Sequence, residues 1–193
     1  ESKKVLPNGA IALVVHATEF PNGNKWARDI AFAALDALGP QDEMGIVLWD
    51  GTDKWLFPLS KVGNKAAMGN SISGMNPGDM PSFQGVMQMA HEGLKASTAN
   101  IKHMVVFSDG DPTAPTNEQL QGIINDRITI SAVMIGGHVS PQTMITMSTA
   151  GKGRFYDVPS PEHLPQIFVK EAAIILKAAI FEEPFLPRVA GSS

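Results

Sequence analysis

The sequence predicts a three-layer α/β fold, a doubly wound and mostly parallel six-stranded sheet with one antiparallel edge strand. Three observations predict it. Short apolar runs alternate along the 193 residues with stretches whose apolar residues recur at helical spacing, the order that winds a parallel sheet between two layers of helices. Two of the runs, residues 10–15 (AIALVV) and 103–107 (HMVVF), lack a polar-apolar alternation, as strands covered on both faces do. These two are expected side by side at the sheet centre. A turn signal, Asp50-Gly51, joins two neighbouring strand-like segments, which makes that pair a hairpin.

The elements come in a regular order. After the strand at 10–15, a helix runs from about residue 24 to 38, with Trp26, Ile30, Ala34 and Leu38 on one face and Gly39-Pro40 as its stop. Strands at 44–49 and 54–59 form the hairpin, and a short helix covers about 64–72. Residues 74–81 are a Gly- and Pro-rich loop. Ser82 caps the next helix, whose inner face carries Phe83, Val86, Ala90 and Leu94. The strand at 103–107 ends in Ser108-Asp109-Gly110-Asp111. Thr116 and Gln119 form a capping box for a helix bearing Leu120, Ile123 and Ile124. The fifth strand is 128–135. Ser140-Pro141 opens a helix that ends at Gly151, residues 155–158 make an edge-like sixth strand, and Pro165 starts a last helix through Phe168, Ala172, Ile175 and Ala179. Pro184 ends it.

Hydrophobic residues make up 44% of the chain and charged residues 18%, enough apolar material for a core and inconsistent with disorder. The net charge of -4 argues against a general nucleic-acid surface. With no cysteine, disulfides and cysteine-held metals are out. No apolar run reaches the length of a membrane span, so direct membrane insertion of this segment is not expected. Glu1-Ser2-Lys3-Lys4 has no signal-peptide character, and the chain reads as a piece of a longer protein. One domain is expected over 1–187, with 188–193 as tail. The ten Met residues read as core filler, and Trp49 and Trp55 flank the hairpin, where one could anchor a partner.

Several segments resemble the von Willebrand factor A family: the apolar first strand with its polar turn, Met104-Val105-Val106-Phe107-Ser108-Asp109-Gly110, Ala150-Gly151-Lys152-Gly153-Arg154-Phe155-Tyr156 and Leu164-Pro165-Gln166-Ile167-Phe168. The resemblance covers about residues 8–187. Gly78-Asp79-Met80-Pro81, Ser108-Asp109-Gly110-Asp111-Pro112 and Glu183-Pro184-Phe185 look like a bacterial branch found in larger, membrane-associated proteins. The resemblance implies a Rossmann-like fold and, in many members, a metal-ion-dependent adhesion site: Asp-x-Ser-x-Ser after the first strand, a Thr in a later loop and an Asp after the fourth strand. Here His16, Thr18 and Phe20 stand at the first three positions, and the Thr position falls near Pro81 with Ser82 beside it. Only Asp109 matches cleanly. That set is too poor in oxygen for a hard divalent cation, so no cofactor and no metal are expected.

In open α/β sheets ligands sit beyond the carboxyl ends of the strands. The residues placed there are His16, Thr18, Glu19, Phe20, Asp79, Ser82, Asp109 and Asp111, and they are the candidate interaction site. The function expected is non-catalytic protein-protein interaction or scaffolding inside a larger assembly, with a protein partner of unknown identity. Two alternatives stand beside it. Asp109-Gly110-Asp111-Pro112-Thr113 fits the Asp-x-Asp-x-Thr motif of haloacid dehalogenase-like phosphatases, although that motif normally follows the first strand and works beneath a cap. A remodelled cation-binding adhesion site could also draw on His16, Glu19, Asp79 and Asp109. A Ser108-His16-Asp109 triad is disfavoured, because neighbouring residues of a strand point to opposite faces.

Overall fold

The structure is a computed structural model that describes residues 8–17, 22–136 and 139–181, with side chains through residue 173. Six strands, β1 (Gly9–Val15), β2 (Glu43–Trp49), β3 (Asp53–Lys61), β4 (Ile101–Ser108), β5 (Ile128–Ile135) and β6 (Lys152–Val158), form one sheet in the order β3-β2-β1-β4-β5-β6. All neighbours are parallel except β2 and β3. β1 and β4 therefore lie side by side in the middle, as their apolar composition predicts.

The helices are α1 (Gly23–Ala37), α2 (Lys65–Ser73), α3 (Phe83–Ala96), α4 (Asn117–Asn125), α5 (Gln142–Ala150) and α6 (Leu164–Phe181). Side chains alternate across a strand, so β1 contributes to both layers. Ile11, Leu13 and Val15 join one core with α1, α2 and α6. Ala10, Ala12 and Val14 join a second core with α3, α4 and α5. Every residue of β1 is buried.

Several details differ from expectation. The buried face of α1 is Ala27, Ile30, Ala31, Ala34 and Leu35; Trp26 is only half-buried, and the Lys25 ammonium lies 5.2 Å from its ring centroid. β3, β4 and β6 all extend beyond their apolar cores, because ladder hydrogen bonds recruit polar residues that carry no hydrophobic signal. The capping box of α4 is half-formed. Thr116 Oγ1 accepts from the Gln119 backbone N–H, but the Gln119 amide reaches across to the Gln84 carbonyl at 2.6 Å, tying α4 to α3. Nine of the ten methionines are buried, which leaves no Met-lined groove among the described residues.

Trp49 and Trp55 are half-buried against the second core. A Cβ on Gly45 or on Gly93 would come within 2.7 Å of the Trp55 ring, and one on Gly78 within 3.0 Å of Trp49. Both indoles are thus packed on glycine faces, where they lock the hairpin onto α3 and the loop before it.

Candidate functional site

The carboxyl ends of β1 and β4 meet two loops that backbone hydrogen bonds stitch together. The His16 N–H donates to the Phe107 carbonyl at 3.0 Å, one rung beyond β1. The Ala17 N–H donates to Gly78 and the Gly78 N–H to Trp49, at 3.1 and 2.7 Å, so the loop before α3 lies across the ends of β1 and β2. That loop is zipped in turn to the loop after β4: Thr113 N–H donates to Pro81 and Phe83 N–H to Thr113. The two zippers bring Asp79 and Asp111 over the same strand end.

His16 is fully buried and is the hub. Its Nδ1 lies 2.8 Å from Ser108 Oγ and 3.3 Å from Asp109 Oδ1, while Nε2 lies 2.9 Å from Asp79 Oδ1 and 3.9 Å from Asp111 Oδ1. Burial alone would disfavour its charged form, but the hydrogen bonds to Asp109 and Asp79 and the charge of Asp111 outweigh it and raise the imidazole above its usual range. Asp109 is also buried. Burial pushes its carboxyl up, and the bond to His16 more than reverses that, so Asp109 is held below its usual range. Asp111 goes the other way, raised by burial and by repulsion from Asp109.

Ser108 and Asp109 both reach His16, contrary to the alternation expected of adjacent strand residues. The reason is local: β4 ends at Ser108, and Gly110 takes a φ of 93° that turns the chain back. In that turn Ser108 Oγ accepts from the Gly110 N–H, and Asp109 Oδ1 accepts from the Asp111 N–H.

Of the residues expected at this site, His16, Asp79, Asp109 and Asp111 converge. Thr18, Glu19 and Phe20 lie outside the described residues. The Ser82 hydroxyl is used elsewhere, accepting the Gln84 N–H as the N-cap of α3 at 3.1 Å. Ser82→Ala is accordingly expected to cost about 1 kcal/mol of stability in a denaturant titration, with the His16 cluster unperturbed in its NMR resonances. Asp50, in the turn after β2, pairs with Lys54 and stays out of the cluster.

A hard cation held by oxygen in the family's way does not fit these residues. A ring nitrogen stands where the first carboxylate would, both ring nitrogens are engaged, and the Ser82 hydroxyl beside the Thr position caps a helix. Millimolar Mg²⁺ or Ca²⁺ should leave the melting temperature unchanged, whereas a competent site at 100-fold the Kd would add about 2.7 kcal/mol. A clear shift with Mg²⁺ that disappears in Asp109→Ala would show that oxygen ligands do assemble.

A second polar centre lies at the opposite, amino-terminal end of the strands, and periodicity gave no hint of it. His103 Nε2 lies 2.8 Å from Glu171 Oε2 and its Nδ1 lies 2.6 Å from Thr129 Oγ1, while the Tyr156 hydroxyl donates to Glu171 Oε1 at 2.5 Å. Glu171 is 1% exposed. Burial opposes its charge, but the bonds from His103 and Tyr156 hold it below the usual carboxylate range. Burial and the Glu171 bond push the Tyr156 phenol up to about 12. The one signal that could have found it is a Glu one turn from Phe168 on the apolar face of the last helix. This centre fastens α6 to the sheet.

Comparison with known proteins places the geometry. Solved structures of similar fold include a von Willebrand factor type A protein from Catenulispora acidiphila, with 16% identity, a TM-score of 0.74, and coverage of 88% of this chain and 42% of that one. The von Willebrand factor domain of the type V pilus tip protein Mfa5 from Porphyromonas gingivalis aligns at 12% identity and a TM-score of 0.75, over 95% and 99% of the two chains. An aerotolerance-related membrane protein from Bacteroides fragilis aligns at 11% identity and a TM-score of 0.66, over 87% and 99%. A search of curated proteins returns no match. The family model for the von Willebrand factor type A domain matches residues 27–170, most of the chain from α1 into α6, and the chain belongs to that family.

Proposed function

We propose that the chain is a non-catalytic protein-interaction module of a larger, membrane-associated assembly, and that the crevice over His16 takes a basic segment of a protein partner. The observation that carries this reading is the arrangement of carboxylates. The Asp79 side chain is 84% exposed and that of Asp111 34%, and both stand at the rim above a buried His16–Asp109 pair. Acidic groups on a rigid strand-end scaffold attract Lys and Arg and accelerate their encounter in a salt-dependent way. The similar folds of a pilus tip domain and of a membrane protein agree with an adhesive role and a membrane-associated parent. Among the described residues no helix is long and apolar enough to cross a membrane.

The candidate nucleophiles favour binding over catalysis. Ser108 is fully buried with its hydroxyl engaged by His16 and Gly110, and Asp109 is turned inward onto His16 and the Asp111 N–H. A phosphatase built on Asp109 would need that carboxylate open to substrate.

The test uses three fluorescently labelled peptide pools, Lys/Arg-rich, neutral and Asp/Glu-rich, read by fluorescence anisotropy at two salt concentrations. Binding is expected for the basic pool alone, weakening with salt and falling about 3- to 10-fold in Asp79→Asn/Asp111→Asn, the range for rim charges. Equal binding of basic and acidic pools would overturn the reading. Turnover of a generic phosphomonoester, lost in Asp109→Asn, would replace it by the phosphatase.

A further inference from the structure

We infer that His16, Asp79 and Asp111 form a binding site for a borderline divalent transition cation of the Zn²⁺ class, with Asp109 and Ser108 as the groups that orient its imidazole. This ligand set differs from the oxygen set that the fold family uses. Two of its three members, Asp79 and Asp111, belong to no position of that set, and the third supplies nitrogen. The inference goes beyond the peptide-binding reading and does not require it.

Three observations support it. One ligand atom from each residue, the His16 ring nitrogen and one carboxylate oxygen from Asp79 and Asp111, lies within 4.8 Å of the other two. Bonds of about 2.0–2.1 Å put neighbouring ligands of one Zn²⁺ roughly 3.0–3.4 Å apart. The His16 Nε2 separations of 2.9 Å to Asp79 and 3.9 Å to Asp111 bracket that range, so small χ rotations of the two Asp side chains close the set. The Asp79 side chain, 84% exposed, has open solvent around it in which to turn.

The second observation is the asymmetry of His16. Its Nδ1 faces inward to buried Ser108 Oγ and Asp109 Oδ1, and its Nε2 faces the exposed carboxylates. A metal-binding histidine characteristically donates its other ring N–H to a carboxylate, which fixes the ring and raises the basicity of the ligating nitrogen. Asp109 and Ser108 stand in that place, and Asp109 is itself held by the Asp111 N–H. The third observation is the scaffold. Each ligand is carried by backbone that the sheet end or the two loop zippers hold in place.

A mixed imidazole and carboxylate set suits Zn²⁺ or Co²⁺ better than Mg²⁺. On binding, the ion takes the place of the proton that His16 shares with Asp79. Three protein ligands leave at least one position open to water or to a donor atom from a partner. Bound ion and basic peptide then compete for Asp79 and Asp111.

The experiment is thermal denaturation and isothermal titration of the intact chain with ZnCl₂, with MgCl₂ as the control cation. CoCl₂ serves as the spectroscopic probe. One Zn²⁺ per chain is expected, with a melting temperature raised by about 5–10 °C at 100-fold over the Kd and no response to Mg²⁺. Co²⁺ should develop visible absorption bands of a low-symmetry nitrogen-oxygen site. Asp79→Asn/Asp111→Asn, at exposed positions that leave the fold intact, should abolish both signals, and His16→Gln should do the same. His91→Gln, which removes a separate histidine-carboxylate contact near the surface, should leave them unchanged. No shift with Zn²⁺ in the wild-type chain overturns the inference, as does a shift that survives in Asp79→Asn/Asp111→Asn. Because the assay contains no peptide, its failure would leave the peptide-binding reading standing, and loss of peptide binding would leave the Zn²⁺ response standing.

Discussion

Replacing Glu171 by Ala is expected to lower the unfolding free energy by about 3–5 kcal/mol, the cost of breaking a buried hydrogen-bonded network and leaving its donors without an acceptor. For a chain of this size that corresponds to a drop in melting temperature of about 6–20 °C. Glu171 is 1% exposed and receives bonds from His103 and Tyr156, with Arg154 Nη1 at 3.8 Å. Its removal leaves His103 Nε2 and the Tyr156 hydroxyl without their acceptor beneath α6. The pH dependence carries a definite sign. Glu171 is held below its ordinary value of 4.5, so its contribution is present above that value and is lost as pH falls through the folded-state value. Melting curves between about pH 7 and about pH 3 should show a steep acid limb in the wild type. Glu171→Gln keeps the shape but not the charge, and should start lower and flatten that limb. A Glu171→Ala variant within about 1 kcal/mol of wild type would show that α6 is held by its apolar face alone.

Phe168→Ala should have an effect of the same size, about 3–5 kcal/mol, through a cavity rather than a charge. Phe168 is completely buried, and its ring meets that of Phe107 edge to face, with centroids 6.2 Å apart and planes at 70°. Phe107 is the last apolar residue before Ser108 and Asp109, so the same cavity sits beneath the crevice. Chemical denaturation gives the magnitude, and the His16 imidazole resonances give the coupling: they should shift in Phe168→Ala and stay in place in Val169→Ala. Val169 is 44% exposed on the outer side of α6, and its substitution should change stability by no more than about 0.5 kcal/mol. Equal costs at the two positions would mean that α6 is not docked through Phe168.

What the sequence determined by itself is the sheet and the strand ends that carry the candidate site. Unbroken apolar runs at β1 and β4 require cover on both faces, which puts them in the middle of a parallel sheet. That placement brings His16 and Asp109 to neighbouring strand ends without any coordinates. Periodicity also set the inner faces of α3 and α4, since burial of one stripe is a local property of the helix. It did less well for α1, where Trp26 matches the spacing but is too large for a face of alanines against the sheet.

Only the tertiary structure decided which polar groups meet. The bonds from His16 to Ser108 and to Asp79 join residues 92 and 63 positions apart, and polar residues in loops carry no periodic signal to betray such a pairing. The Ser82 hydroxyl turned to its own helix because a local cap is always within reach, whereas a shared site must wait for two loops to converge. His103 and Glu171, 68 positions apart, look like defects in apolar faces when read singly. Brought together beneath α6, each satisfies the hydrogen bonds of the other. A buried charge is tolerated where its partners arrive with it, and that arrival is a property of the fold.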